Sequence, residues 1–103
     1  MNHFVTFIDA SDPNGPLERY VVQYHSVVLC DTMVRGMAVD FAARVRNDQN
    51  ELRREVGERI EEIADQARRE VQWGELWKAH HWLAQSLALT QWLIEDARME
   101  EMQ

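Results

Sequence analysis

From residue 17 onward the chain contains no proline and only three glycines, Gly36, Gly57 and Gly74. Proline breaks a helix interior, and glycine there costs about 1 kcal/mol relative to alanine. A segment this poor in breakers is expected to fold as long helices rather than as many short strands joined by turns. The remaining breakers, Pro13, Gly15 and Pro16, cluster in the stretch DASDPNGP over 9–16. That stretch reads as a loop, because Pro fixes φ and Asn-Gly adopts positive φ easily.

With 103 residues, the chain has enough material for one domain and one modest core. We divide it into an extended arm and loop over 1–16 and helices over 17–46, 49–72 and 75–102. Residues 3–8 (HFVTFI) are rich in β-formers and read as the extended segment. In the first helix Leu17, Val21, Tyr24, Val28, Val34, Ala38, Phe41 and Val45 recur at helical spacing, with Asp31 interrupting. In the second, Leu52, Val56, Ile60, Ile63, Ala67 and Val71 form the apolar stripe. Asp48, with Glu51 three residues on, supplies its start, and Trp73-Gly74 its end. Such helices would each run roughly 36–45 Å at 1.5 Å per residue, and matched lengths suit an up-down-up arrangement. The fold expected is mainly α, an antiparallel three-helix bundle with a short extended N-terminal segment.

Residues 18–29 (ERYVVQYHSVVL) allow a second reading, α+β. Their β-branched and aromatic side chains suit a pleated surface. They would pair with residues 3–8 as an N-terminal β-hairpin followed by three helices. Asp31 would then cap a shorter helix, Thr32–Arg46, with the stripe Met33, Val34, Met37, Ala38, Phe41, Ala42 and Val45.

The net charge of −7 weighs against direct nucleic-acid binding and against docking on anionic membranes. No run approaches the roughly 20 apolar residues of a membrane span. Met1–Asp12 has no basic start followed by an apolar run, so no secretory signal is read. The one cysteine, Cys30, cannot form an internal disulfide. The location expected is cytoplasmic.

No constellation carries catalytic chemistry, and neither a cofactor nor a metal is expected. His80 and His81 point about 100° apart on a helix and have no ligand three or four residues away. One is expected partly buried beside Trp77 and the other exposed. Cys30 reads as a small buried apolar residue, because His25 and Asp31 are not placed to activate it. Glu58, Glu61, Glu62 and Asp65 are interleaved with Arg59 and Arg68 on a helix, which indicates a wet face rather than an acid–base pair. The i,i+4 pairs Glu55–Arg59, Arg54–Glu58 and Asp65–Arg69 contribute only about 0.3–0.5 kcal/mol each.

The last helix is different. Leu76, His80, Leu83, Leu87, Thr90, Ile94 and Ala97 run down one side, and Trp82, Leu89, Trp92 and Leu93 lie on another. It is apolar over more of its circumference than one core contact requires. Four tryptophans, Trp73, Trp77, Trp82 and Trp92, fall within this part of the chain, and large aromatics often anchor interfaces. The candidate partner-binding residues are Trp73, Trp77, Trp82, Leu89, Trp92 and Leu93. Gln72, Trp73, Trp77, His81 and Trp82 could instead line a small-molecule cleft.

The expectation is a non-enzymatic protein–protein interaction or regulatory module, alone or as a homodimer. Its partner would be another protein or a second copy of itself. The alternative is a small acidic inhibitor of a nucleic-acid-binding protein, of the kind mobile elements use against host defence. Its acidic surface would be Glu58, Glu61, Glu62, Asp65, Glu95, Asp96, Glu100 and Glu101. The acid-rich stretch EDARMEEMQ is expected to fray, since negative charge is unfavourable at a helix C-terminus.

Overall fold

The computed structural model describes residues 4–102, so residue 3 of the expected extended segment lies outside the described residues. Three strands, β1 (Val5–Asp9), β2 (Tyr20–Tyr24) and β3 (Val27–Thr32), precede three helices, α1 (Arg35–Asn47), α2 (Gln49–Gln72) and α3 (Leu76–Glu101). The chain divides into two compact units, Met1–Leu52 and Arg53–Gln103.

In the first unit the strands form an antiparallel sheet in the order β1-β2-β3. Pairing sets Val5, Tyr24 and Val27 side by side, with Phe7, Val22 and Cys30 two rows on. These Val and Tyr side chains fit a pleated surface better than a helix, where branching at Cβ restricts χ1. Helix α1 packs across all three strands. It buries Ala38, Ala42 and Val45, spaced four and three residues apart on one face. Against them lie the buried Val5, Tyr20, Val22, Tyr24, Val27 and Leu29. Arg46 Nε donates to the Val5 carbonyl at 3.1 Å, tying the end of α1 to the edge strand β1.

The loop between β1 and β2 is closed by its own hydrogen bonds. The Ala10 amide donates to the Arg19 carbonyl at 2.8 Å, and the Asp12 amide to the Leu17 carbonyl at 3.0 Å. Asp12 Oδ1 accepts from the Asn14 amide at 2.9 Å, the local side-chain turn that suits Asp before Pro-Asn-Gly. Asp9 accepts from Ser11, which holds its carboxyl below the usual range.

Strands β2 and β3 join through His25 and Ser26, with His25 at φ 54°. This left-handed conformation is one that His tolerates better than β-branched residues do. Phe4 stacks on the His25 ring at 4.4 Å, and Tyr24 meets it edge-on at 4.6 Å. A register shift between Val22 and Gln23 marks a bulge in the pairing with β3.

The helix expected over 17–46 is therefore not formed. Its first half supplies β2 and β3, and only Arg35–Asn47 is helical. The α+β reading is the one that fits, with a third strand added to the expected hairpin. Asp31 does not cap a helix. It sits in β3, and its carboxylate accepts from Arg19 Nε at 3.0 Å and Nη2 at 2.7 Å. The two-point contact holds the Asp31 carboxyl below its usual range and raises the Arg19 guanidinium. Cys30 is half-buried in β3 rather than fully buried, at one of the less covered positions of a strand whose burial alternates.

Helix α2 starts at Gln49 within the first unit, and the second unit holds the rest of α2 and α3. Asp48 ends α1, its amide donating to Arg44, and its Oδ1 accepts from the amides of Asn50 at 3.0 Å and Glu51 at 3.4 Å. One side chain thus satisfies free donors at the start of α2. The Glu51 carboxylate lies 3.7 Å from Arg44 Nε. Helix α2 buries Leu52, Val56, Ile63 and Ala67, while Ile60 is half-buried. It ends in a paired closure. The Gly74 amide donates to Val71 at 3.0 Å and the Glu75 amide to Glu70 at 2.8 Å, with Gly74 at φ 79°. This is the Schellman arrangement, and glycine is the residue that takes its left-handed position without strain.

Candidate protein-interaction surface

Helix α3 carries two apolar stripes about 100° apart at 3.6 residues per turn. The inner one follows alternating spacings of three and four: Ala79 and Leu89 are buried, and Trp82, Ser86 and Leu93 are half-buried. The outer one consists of Leu76, Leu83, Leu87 and Ile94, between 49% and 64% exposed. An aliphatic row standing in water along about 27 Å of helix is an unusual use of large side chains. Trp77, 88% exposed, flanks its N-terminal end.

Two polar residues interrupt the outer row. His80 is exposed, as is His81, so the expectation that one of the pair is buried does not hold. Both lie on the outer half of the helix, away from the inner stripe, and His81 meets the Trp82 ring edge-on at 5.6 Å. The Thr90 hydroxyl donates to the Ser86 carbonyl at 2.9 Å, so its polar atom is satisfied within the helix. The row is less polar than its sequence suggests.

The expected partner-binding residues separate into three groups. Trp73 and Trp77 are well exposed, Trp73 at the end of α2 and Trp77 in the first turn of α3. Trp82, Trp92 and Leu93 are half-buried. Leu89 is 0% exposed and is corrected to a core residue, because it lies on the stripe that the fold covers. The outer aliphatic row is visible in the sequence as a stripe, but it is not among the candidate partner-binding residues.

The acidic surface also divides. Asp65 pairs with Arg68 at 2.8 Å and Arg69 at 2.7 Å, and Glu62 with Arg59 at 2.6 Å. Glu58, Glu61, Glu95, Glu100 and Glu101 are exposed. Asp96 is buried on the inner side of α3 and is removed from the set by correction.

A concave feature lies in the first unit, and the sequence reading missed it. A cleft of about 570 Å³ is lined by Leu17, Arg19, Asp31, Met33 and Val34, among others. Leu17, Met33, Val34 and Met37 are exposed, although the last three belong to the apolar stripe expected of a helix over Thr32–Arg46. Helix α1 starts only at Arg35, after the Val34 amide has donated to Thr32 Oγ1 at 3.2 Å, and this leaves Met33 and Val34 outside the packed face.

Among the described residues, no group of three His, Cys, Asp or Glu side chains is placed to hold a metal ion. Among them, no helix is long and apolar enough to cross a membrane. No family model, curated protein or solved structure matches the chain.

Proposed function

We propose that this protein is a non-enzymatic interaction module whose working surface is the outer face of α3. One observation carries the reading: Leu76, Leu83, Leu87 and Ile94 stand exposed in one row, while a separate row of the same helix holds the buried Ala79 and Leu89. The inner row supplies the helix with its own core contact, so the outer row is surplus to it. Burying an aliphatic side chain contributes about 1.5–3 kcal/mol, and a partner covering four of them recovers part of that. Trp77 beside the row is an aromatic anchor of the type that dominates interface energetics.

The ion pairs of Asp65 and Glu62 weaken the competing case for a phosphate-mimicking acidic inhibitor. Carboxylates already held by Arg68, Arg69 and Arg59 have less capacity to take a partner's basic groups.

Site-specific photo-crosslinking in cells that express the protein tests the reading. A photoreactive side chain at position 83 or 87 is expected to form a covalent adduct with a protein. The same group at position 61 or 68, on the charged part of α2, is expected to form none. Adducts at 61 and 68 but not at 83 and 87 would refute the assignment of the surface.

A further inference from the structure

We infer that the occupant of the outer face of α3 is a second copy of the same chain, its α3 running antiparallel, with the two-fold axis level with Gln85. This rests on the reading of that face as an interaction surface and names its partner.

The outer row is Leu76, His80, Leu83, Leu87, Thr90 and Ile94. Its spacings alternate four and three, the repeat that lets two helices interlock along a seam. The row is also symmetric about residue 85. An antiparallel copy sets Leu76 opposite Ile94, His80 opposite Thr90, and Leu83 opposite Leu87, and then the same contacts again in reverse. A two-fold contact requires this self-complementarity, in which residue i meets j and j meets i. Each of the four exposed aliphatics meets another aliphatic, and the two polar positions meet each other.

Charge gives the same direction. From Leu76 to Thr90 the helix carries Lys78, His80 and His81 and no carboxylate. Beyond Thr90 it carries the exposed Glu95, Glu100 and Glu101 with a single Arg98. An antiparallel copy places the acidic ends of the two helices at opposite ends of the pair. A parallel copy would set the acidic ends side by side. The helix dipoles favour the antiparallel arrangement too.

The test is the absolute mass of the full chain in solution, by light scattering across a concentration series, for the wild type and three variants. The wild type is expected at twice the 12.2 kDa chain mass. Leu83→Glu, at an exposed position and with a good helix former, is expected to keep its circular dichroism and weaken the dimer about 100-fold or more. Leu83→Glu/Leu87→Lys is expected to recover the dimer, because each Glu then faces the partner's Lys. Leu83→Lys/Leu87→Lys is expected to remain a single chain.

A wild type that stays a single chain at every concentration overturns the second copy. Crosslinks from positions 83 and 87 to a different protein would still support the interaction surface. A dimer indifferent to Leu83→Glu overturns both readings. Loss of the dimer in both double variants overturns the antiparallel register, and spin labels at Glu95→Cys check it independently in the Cys30→Ala background. In the antiparallel pair these labels sit about 30 Å apart along the axis, and in a parallel pair side by side.

Discussion

Two glycine-to-alanine substitutions should move stability in opposite directions, and their contrast tests the helical unit closely. Gly57 lies inside α2, and a Cβ built on it meets nothing within 4 Å. Alanine there adds no clash and removes freedom from the unfolded chain, so Gly57→Ala is expected to stabilise by about 1 kcal/mol. Gly74 also has open space around its Cβ position, but its φ is 79°. Alanine in that left-handed conformation costs about 1–2 kcal/mol, and the hydrogen bonds to Val71 and Glu70 hold the backbone in it. For a chain of this size, 1 kcal/mol corresponds to roughly 4–8 °C in Tm. Thermal unfolding followed by helical circular dichroism, in the Leu83→Glu background to remove association, should raise Tm for Gly57→Ala and lower it for Gly74→Ala. A Gly57→Ala variant no more stable than the parent would refute the open helical environment. A neutral Gly74→Ala would refute the left-handed closure.

Val56→Asp is expected to unfold the helical unit, since an unpaired carboxylate would replace a fully buried side chain; Ile60→Asp, at a half-buried site, should cost less, and urea titration ranks the two. Trp77→Ala should leave Tm nearly unchanged and weaken self-association, whereas Trp92→Ala, at a half-buried site, should lower Tm; the reverse order would place Trp77 in the core. Asp31 has its carboxyl held below the usual range by Arg19, so its stabilisation is present at neutral pH and is lost as pH falls through that lowered value. Asp31→Asn is therefore expected to lower Tm slightly at neutral pH and to match the wild type in strong acid, as read from melts across a pH series.

Helix α2 was legible because several signals agree on it. Its apolar positions keep one period, Asp48 caps it, and Gly74 closes it, so the expected 49–72 coincides with Gln49–Gln72. Helix α3 was equally legible, as Leu76–Glu101 against an expected 75–102. Residues 17–34 were not. Leu17, Val21, Tyr24 and Val28 fit a helical stripe, and the same stretch fits strands; pairing with β1 and cover from α1 decide between them, and neither is a local property. The turn at His25-Ser26 carries no Gly, Asn or Pro, so nothing announced the boundary between β2 and β3. In the candidate site, the sequence revealed that α3 has two apolar stripes. It did not reveal which one the fold covers, because Leu89 and Leu87 are equally apolar and only the tertiary arrangement distinguishes them.

Methyl NMR with a soluble paramagnetic agent tests the central claim most directly, by following solvent access at Leu87, Ile94 and Leu89 as the protein is diluted. The account predicts that the Leu87 and Ile94 methyls are protected at high concentration and become accessible on dilution, while Leu89 stays protected throughout. Protection of all three at every dilution would place the outer row in the chain's own core, and access at Leu87 and Ile94 at every concentration would mean that no second copy covers it.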